Sequence, residues 1–154
     1  NFKRRQSLRK TWLKRSMFKN VRFVFMMGYS QNKLISDKLK LESNLYNDIV
    51  QEDFLDAYRN ITYKGIMAMK WISEYCKNTK YILKVDDDII SNIFILLRHL
   101  KSLDNHNLAK KKTIMCLVWV GMRVMRDKDS KWFIPKEEFK DDVFGKYCSG
   151  SAYI

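Results

Sequence analysis

The sequence predicts an α/β domain with a mostly parallel central sheet flanked by helices. Three observations predict it. Apolar, strand-like runs alternate with segments of helical periodicity. The first run, VRFVFMMG at 21–28, is almost continuous, as expected of a strand covered on both faces. The chain has 154 residues, 46% of them hydrophobic, with one Pro and five Gly. That size suits one domain with a real core, and no Pro- or Gly-rich linker divides it.

Each element can be justified in order. SLRKTWLK is a short basic helix, and residues 21–28 form the first strand. Residues 31–45 carry Leu34, Leu39 and Leu41 among polar residues, a second helix. DIVQEDF at 48–54 is the second strand and a turn. From Asn60 to Tyr75 the positions Ile61, Ile66, Met69 and Ile72 fall near helical spacing, with Asn60 or Thr62 as cap. YILKV at 81–85 is the third strand. Ser91 or Asn92 caps a helix carrying Ile93, Leu96, Leu97, Leu100 and Leu103. NHNLAKKK is a loop, and TIMCLVWV a fourth strand with Cys116 in the core. GMRVM, RDKDS and KWFIP read as strand, turn and strand. KEEFKDDVFGKY is polar and turn-rich, and SGSAYI starts another strand. The four Trp residues read as core rather than ligand-stacking. The chain opens without Met and closes on that strand, so residues 1–154 are expected to be one partial domain.

Net charge is +13. The first 36 residues hold ten Lys or Arg and no acid, while the remaining 118 hold 20 basic and 17 acidic residues. Such an N-terminus fits a phosphorylated ligand, an anionic lipid surface or a nucleic acid, or simply a solvated basic face. No apolar run reaches the roughly 18 residues of a membrane-spanning helix. Cys76, Cys116 and Cys148 have no zinc-ligand spacing with the two His. Cys76 and Cys148 are the pair expected to bond if the compartment is oxidising. Asn60-Ile61-Thr62 is an N-glycosylation acceptor triplet.

YILKVDDDII carries the chemistry. Asp86, Asp87 and Asp88 follow a strand at the end where open α/β sheets bind ligands. Alternation along an extended chain points Asp86 and Asp88 to one side. Two carboxylates there suit Mg²⁺ or Mn²⁺, which would offset their repulsion and keep positions open for diphosphate oxygens. Asp127-Lys128-Asp129 has the same spacing, but in a turn where Asp is a good turn former. Arg5 and Arg9, four apart on one helix face, are candidates for the diphosphate. Asp48 and Asp53 are candidates for a sugar or base, and Lys64 for a phosphate.

These motifs together resemble the β1,3-glycosyltransferase family of β1,3-galactosyltransferases and β1,3-N-acetylglucosaminyltransferases. RRQSLRKTW is similar to its Arg-x-x-x-Arg-x-Thr-Trp motif, at Arg5, Arg9, Thr11 and Trp12. Residues 42–76 resemble its central block, with Asp48, Asp53, Asp56, Tyr58, Asn60, Thr62, Lys64, Trp71 and Cys76 on recurring positions. YILKVDDDII is similar to its metal-binding strand, and KYCSGSAYI to its Tyr-x-Ser-Gly-x-x-Tyr segment. The resemblance implies a GT-A-like nucleotide-sugar-binding fold. It also implies a UDP-galactose or UDP-N-acetylglucosamine donor and inverting β1,3 transfer to a glycan on a glycoprotein or glycolipid. The cofactor would be Mn²⁺ (or Mg²⁺), held by Asp86 and Asp88 beside nucleotide-sugar contacts from Arg5, Arg9, Asp48, Asp53, Lys64 and Asp87. The general base is expected downstream of Ile154, and the setting is the Golgi lumen, with an upstream membrane anchor. The alternatives are an inactive nucleotide-binding member of the family and a basic nucleic-acid-binding module. Nucleic acid is not the expected partner.

Overall fold

A computed structural model describes residues 1–106, 108 and 113–154. Most of the NHNLAKKK loop therefore lies outside the described residues. The chain packs as two compact units. One comprises Asn1–Trp12 with Tyr81–Ile154, the other Leu13–Lys80.

The second unit is a strand–helix–strand–helix arrangement. β1 (Phe25–Tyr29) is followed by α1 (Lys33–Tyr46), β2 (Ile49–Leu55) and α2 (Ile61–Tyr75). β1 and β2 pair in parallel, Phe25 against Ile49 and Met26 against Val50, with an irregularity between Met27 and Tyr29. The ladder starts at Phe25, whose N–H donates to the Asp48 carbonyl at 2.7 Å. Strand β1 therefore starts later than the apolar run predicts, because a strand extends only where a partner offers carbonyls. Asn32 caps α1 by accepting from Ile35 N at 3.3 Å. At its far end Asn47 adopts φ 50°, a left-handed conformation that Asn tolerates well. Arg15 Nη2 then donates to the Asn47 carbonyl at 3.0 Å.

Helix α2 packs on β1, but by a different face from the one expected. Met67 is the buried residue, whereas Ile61, Ile66 and Met69 are exposed. The inward stripe runs through Lys64, Met67, Ala68, Trp71 and Ile72. That set repeats at three and four residues as well as the apolar set does. The small and polar residues on it hid it.

The first unit holds a basic helix, α3 (Phe2–Lys10 of the N-terminal segment), and the acidic and C-terminal strands. Asn1 caps α3, and Leu8 and Arg5 are its buried residues. β3 (Lys84–Val85), α4 (Ile93–Asn105), β4 (Cys116–Trp119) and β5 (Tyr147–Tyr153) follow. Asn92 caps α4 by accepting from Ile95 N at 3.1 Å. Ile93 and Leu100 are buried on it, as the periodicity predicts.

The sheet of this unit is antiparallel, which corrects the mostly parallel expectation. Its order is β3-β5-β4, with β5 antiparallel to both neighbours. β3 and β4 thus run the same way, as a helical crossover requires. β5 lies between them, so no parallel ladder forms there.

Three further expectations are corrected in this unit. GMRVM and KWFIP share one backbone bond, Ile134 N to Met125 O at 3.0 Å, but no hairpin ladder. Instead Val124 N donates to Asp142 O at 2.9 Å and Phe144 N to Met122 O at 2.8 Å. Residues 122–124 therefore meet the polar stretch 142–144. The Arg126 guanidinium holds the intervening loop, donating to the Ile134, Phe139 and Asp141 carbonyls. Cys148 bonds to Cys116, with Cα atoms 5.6 Å apart, and Cys76 is free. Pairing of β4 with β5 brings those two sulfurs together, while Cys76 ends a helix of the other unit. Trp119 and Trp132 are exposed rather than core. No helix of the described residues is long and apolar enough to cross a membrane.

Candidate functional site

The acidic residues sit where β3 gives way to a turn. Strand pairing stops at Val85 against Ala152, and Asp86 N donates to the Ser151 carbonyl at 2.9 Å. Ile89 N then donates to the Asp86 carbonyl at 3.2 Å, closing a turn over 86–89. Side-chain alternation therefore holds from Lys84 to Asp86 and ends there.

Two cations meet the three carboxylates. Lys84 Nζ donates to Asp86 Oδ1 and to the Gly150 carbonyl. Arg4 Nη1 lies 2.9 Å from Asp87 Oδ1 and 4.0 Å from Asp88 Oδ2. The side chains of these pairs are between 34% and 64% exposed, so each ion pair is weak and displaceable. This is how the molecule offsets the repulsion of three successive Asp residues. No three Asp, Glu, His or Cys side chains converge as a ready metal cage among the described residues. The donor set nevertheless fits a hard divalent cation. Asp87 and Asp88 share Arg4 and Asp86 is held separately by Lys84, and Mg²⁺-like ions commonly take one or two carboxylates plus substrate phosphates and water.

Arg4 and Lys84 were not among the sequence candidates. Arg4 is 83 residues from Asp87, and nothing local announces the pair. Lys84 had a signal: strand alternation puts it on the side of Asp86.

The remaining candidates divide between the units. Arg5 is buried and Arg9 half-buried on α3, in the unit of the acidic turn. Asp48, Asp53 and Lys64 belong to the other unit. Asp48 is 2% exposed, just before β2, while Asp53 is exposed on that strand. Lys64 Nζ donates to Asp56 Oδ1 at 2.7 Å, and Asp56 Oδ2 accepts from Gly28 N at 3.0 Å. Lys64 is thus part of a clasp between the start of α2 and the end of β1. Asn60 is half-buried, and its Nδ2 donates to the Leu55 carbonyl at 2.9 Å. Asp127-Lys128-Asp129 is a turn, with Asp129 N on Asp127 Oδ1 at 3.0 Å.

Comparison with known proteins adds to this geometry. A family model described as Galactosyltransferase matches residues 3–154. The chain is 32% identical over 155 residues to beta-1,3-galactosyltransferase 1 of Homo sapiens, covering 99% of this chain and 47% of that protein. It is 31% identical to beta-1,3-galactosyltransferase 2 of Mus musculus, over 97% of this chain and 36% of that protein. It is 34% identical to beta-1,3-galactosyltransferase 5 of Mus musculus, over 97% of this chain and 48% of that protein. The chain therefore spans about half the length, or less, of the curated relatives it matches.

Proposed function

The chain belongs to the galactosyltransferase family, and from that premise we propose that the protein transfers galactose from a UDP-sugar to an acceptor glycan. The observation that carries the reading is the match over residues 3–154, supported by relatives named as beta-1,3-galactosyltransferases. The finer reading is a GT-A-like domain working by inversion in β1,3 linkage, with UDP-galactose ahead of UDP-N-acetylglucosamine as donor. The acceptor is a glycan on a glycoprotein or glycolipid. The setting is the Golgi lumen, with the protein held to the membrane by an anchor outside these residues.

Asp86 and Asp88 would hold Mn²⁺ or Mg²⁺, with Asp87 beside them. Such an ion stabilises charge on a departing diphosphate. The chain's own residues supply the rest of the electrostatics. Arg5, Arg9 and Arg4 put positive charge on one short helix in the unit of the acidic turn. Arg4 holds Asp87 and Asp88 in place, and Lys84 holds Asp86 against the Ser-Gly strand. Asp48, Asp53 and Lys64 are our candidates for contacts to the sugar and nucleotide. No residue among 1–154 is assigned as the base that takes the acceptor hydroxyl's proton.

Transfer of labelled sugar by the full-length protein tests this. Galactose incorporation from UDP-galactose that is lost on chelation and in Asp86→Ala/Asp88→Ala is the expected result. Incorporation indifferent to both changes would remove the metal assignment. UDP binding with no transfer from either donor would favour an inactive family member.

A further inference from the structure

One ammonium group stands between the acidic turn and the Ser-Gly strand. Lys84 opens β3 and pairs with Tyr153 of β5. Its Nζ bonds Asp86 Oδ1 and the Gly150 carbonyl, and lies 5.8 Å from the centre of the Tyr153 ring. The backbone bond from Asp86 N to Ser151 O closes the same corner. Strand pairing thus fixes the lysine's root, and one group of the acidic turn and two of β5 fix its tip. An ammonium has three donors, and two are used here, leaving one for an incoming anion. The side chain is one-third exposed, so that donor is within reach of solvent.

We infer that Lys84 is a positioning residue and a transferable counter-ion that couples metal binding to diphosphate binding at this turn. The inference rests on the reading of Asp86 as a metal ligand. Without ligands the ammonium neutralises Asp86 and opposes a second cation there. A metal ion alone must displace it without compensation. With a diphosphate present, anionic oxygens receive the ammonium while the carboxylate is released. The flexible four-carbon stem permits that move. Nucleotide and metal therefore raise each other's affinity by the same factor, and Lys84 enlarges that factor. No covalent bond changes.

Calorimetric titration of the intact chain tests this. Mn²⁺ and UDP are titrated singly and each in the presence of the other, on wild type, Lys84→Met, Lys84→Gln and Asp86→Ala. Lys84→Met is expected to bind Mn²⁺ alone about tenfold more tightly, since a unit charge beside a divalent ion has gone. The factor by which UDP strengthens Mn²⁺ binding should fall by a similar amount. Lys84→Gln keeps a donor for Gly150 and gives the same readout if Lys84→Met melts early. Unchanged Mn²⁺ affinity and coupling in both variants, with Mn²⁺ binding lost in Asp86→Ala, would overturn the inference and leave the metal site standing. Mn²⁺ binding that survives Asp86→Ala would overturn the reading of Asp86, and the inference with it.

Discussion

At Gly28 one methyl group is too many. A Cβ there would run into the Phe54 carbonyl oxygen and lie 2.8 Å from the Phe54 ring and 3.0 Å from Asp56 N. The constraint is space, not backbone conformation. Gly28→Ala should cost about 1–3 kcal/mol, as overpacking usually does, read from the urea midpoint. Tyr81 makes a second residue-scale case. Its hydroxyl donates to Asp104 at 2.5 Å, and that bond, with some desolvation and the nearby negative charge, holds its pKa above 10.0. The neutral phenol is the form the fold favours. Its stabilising contribution is therefore full below the unfolded pKa and lost as pH rises through the folded one. The stability gap between wild type and Tyr81→Phe should hold at neutral pH and narrow in alkali beyond about pH 10. Ultraviolet phenolate titration beside urea denaturation checks the sign.

Among elements, β5 depends most on a covalent constraint. It is central in its sheet, and the Cys116–Cys148 bond joins it to β4 across 32 residues of sequence. Closing a loop of that length restricts the unfolded chain by about 3–4 kcal/mol. Cys116→Ser with Cys148→Ser should lower stability by that order, while Cys76→Ser should leave it nearly unchanged. Helix α4 offers a smaller test. Asn92→Ala removes the acceptor for Ile95 N and should cost about 1 kcal/mol, seen as faster amide exchange in its first turn. Much of this level was legible in the sequence. Helix α4 could be read from Ile93 to Leu103 because one apolar stripe and one cap agree. The parallel β1–β2 pair followed from strands bracketing a helix. The disulfide could not be read, because it depends on β5 inserting beside β4, and no local pattern encodes which strands become neighbours. The inward face of α2 was misread because Lys64, Ala68 and Trp71 carry no common hydropathy. The acidic turn was found from its composition and place, but its counter-ions lay outside the motif or were passed over within it.

At the scale of the whole chain, burial is thin. Among the described residues Leu8, Leu39, Met67, Ile93, Leu100 and Val124 form the buried apolar set, and no large side chain is less than 2% exposed. Meanwhile Ile66 and Met69 of α2 and Leu117 and Val118 of β4 face outward. In each unit, apolar side chains exposed on a regular element offer a face that other protein or ligand can cover. The 154-residue chain alone should therefore bind a hydrophobic dye such as ANS. Its melting enthalpy should fall well short of the roughly 110 kcal/mol typical for this length. Full enthalpy and no dye uptake would show these faces to be covered by the chain itself.

Asn60 carries a consequence for timing. Its side-chain nitrogen, the atom an oligosaccharide would be joined to, is engaged with Leu55 in the finished fold. An enzyme decorating this triplet would compete with that hydrogen bond, and so would act most readily before the bend between β2 and α2 closes. Once decorated, the bend would have to close without that tie. Occupancy by sugar at this asparagine would thus record how slowly the bend formed.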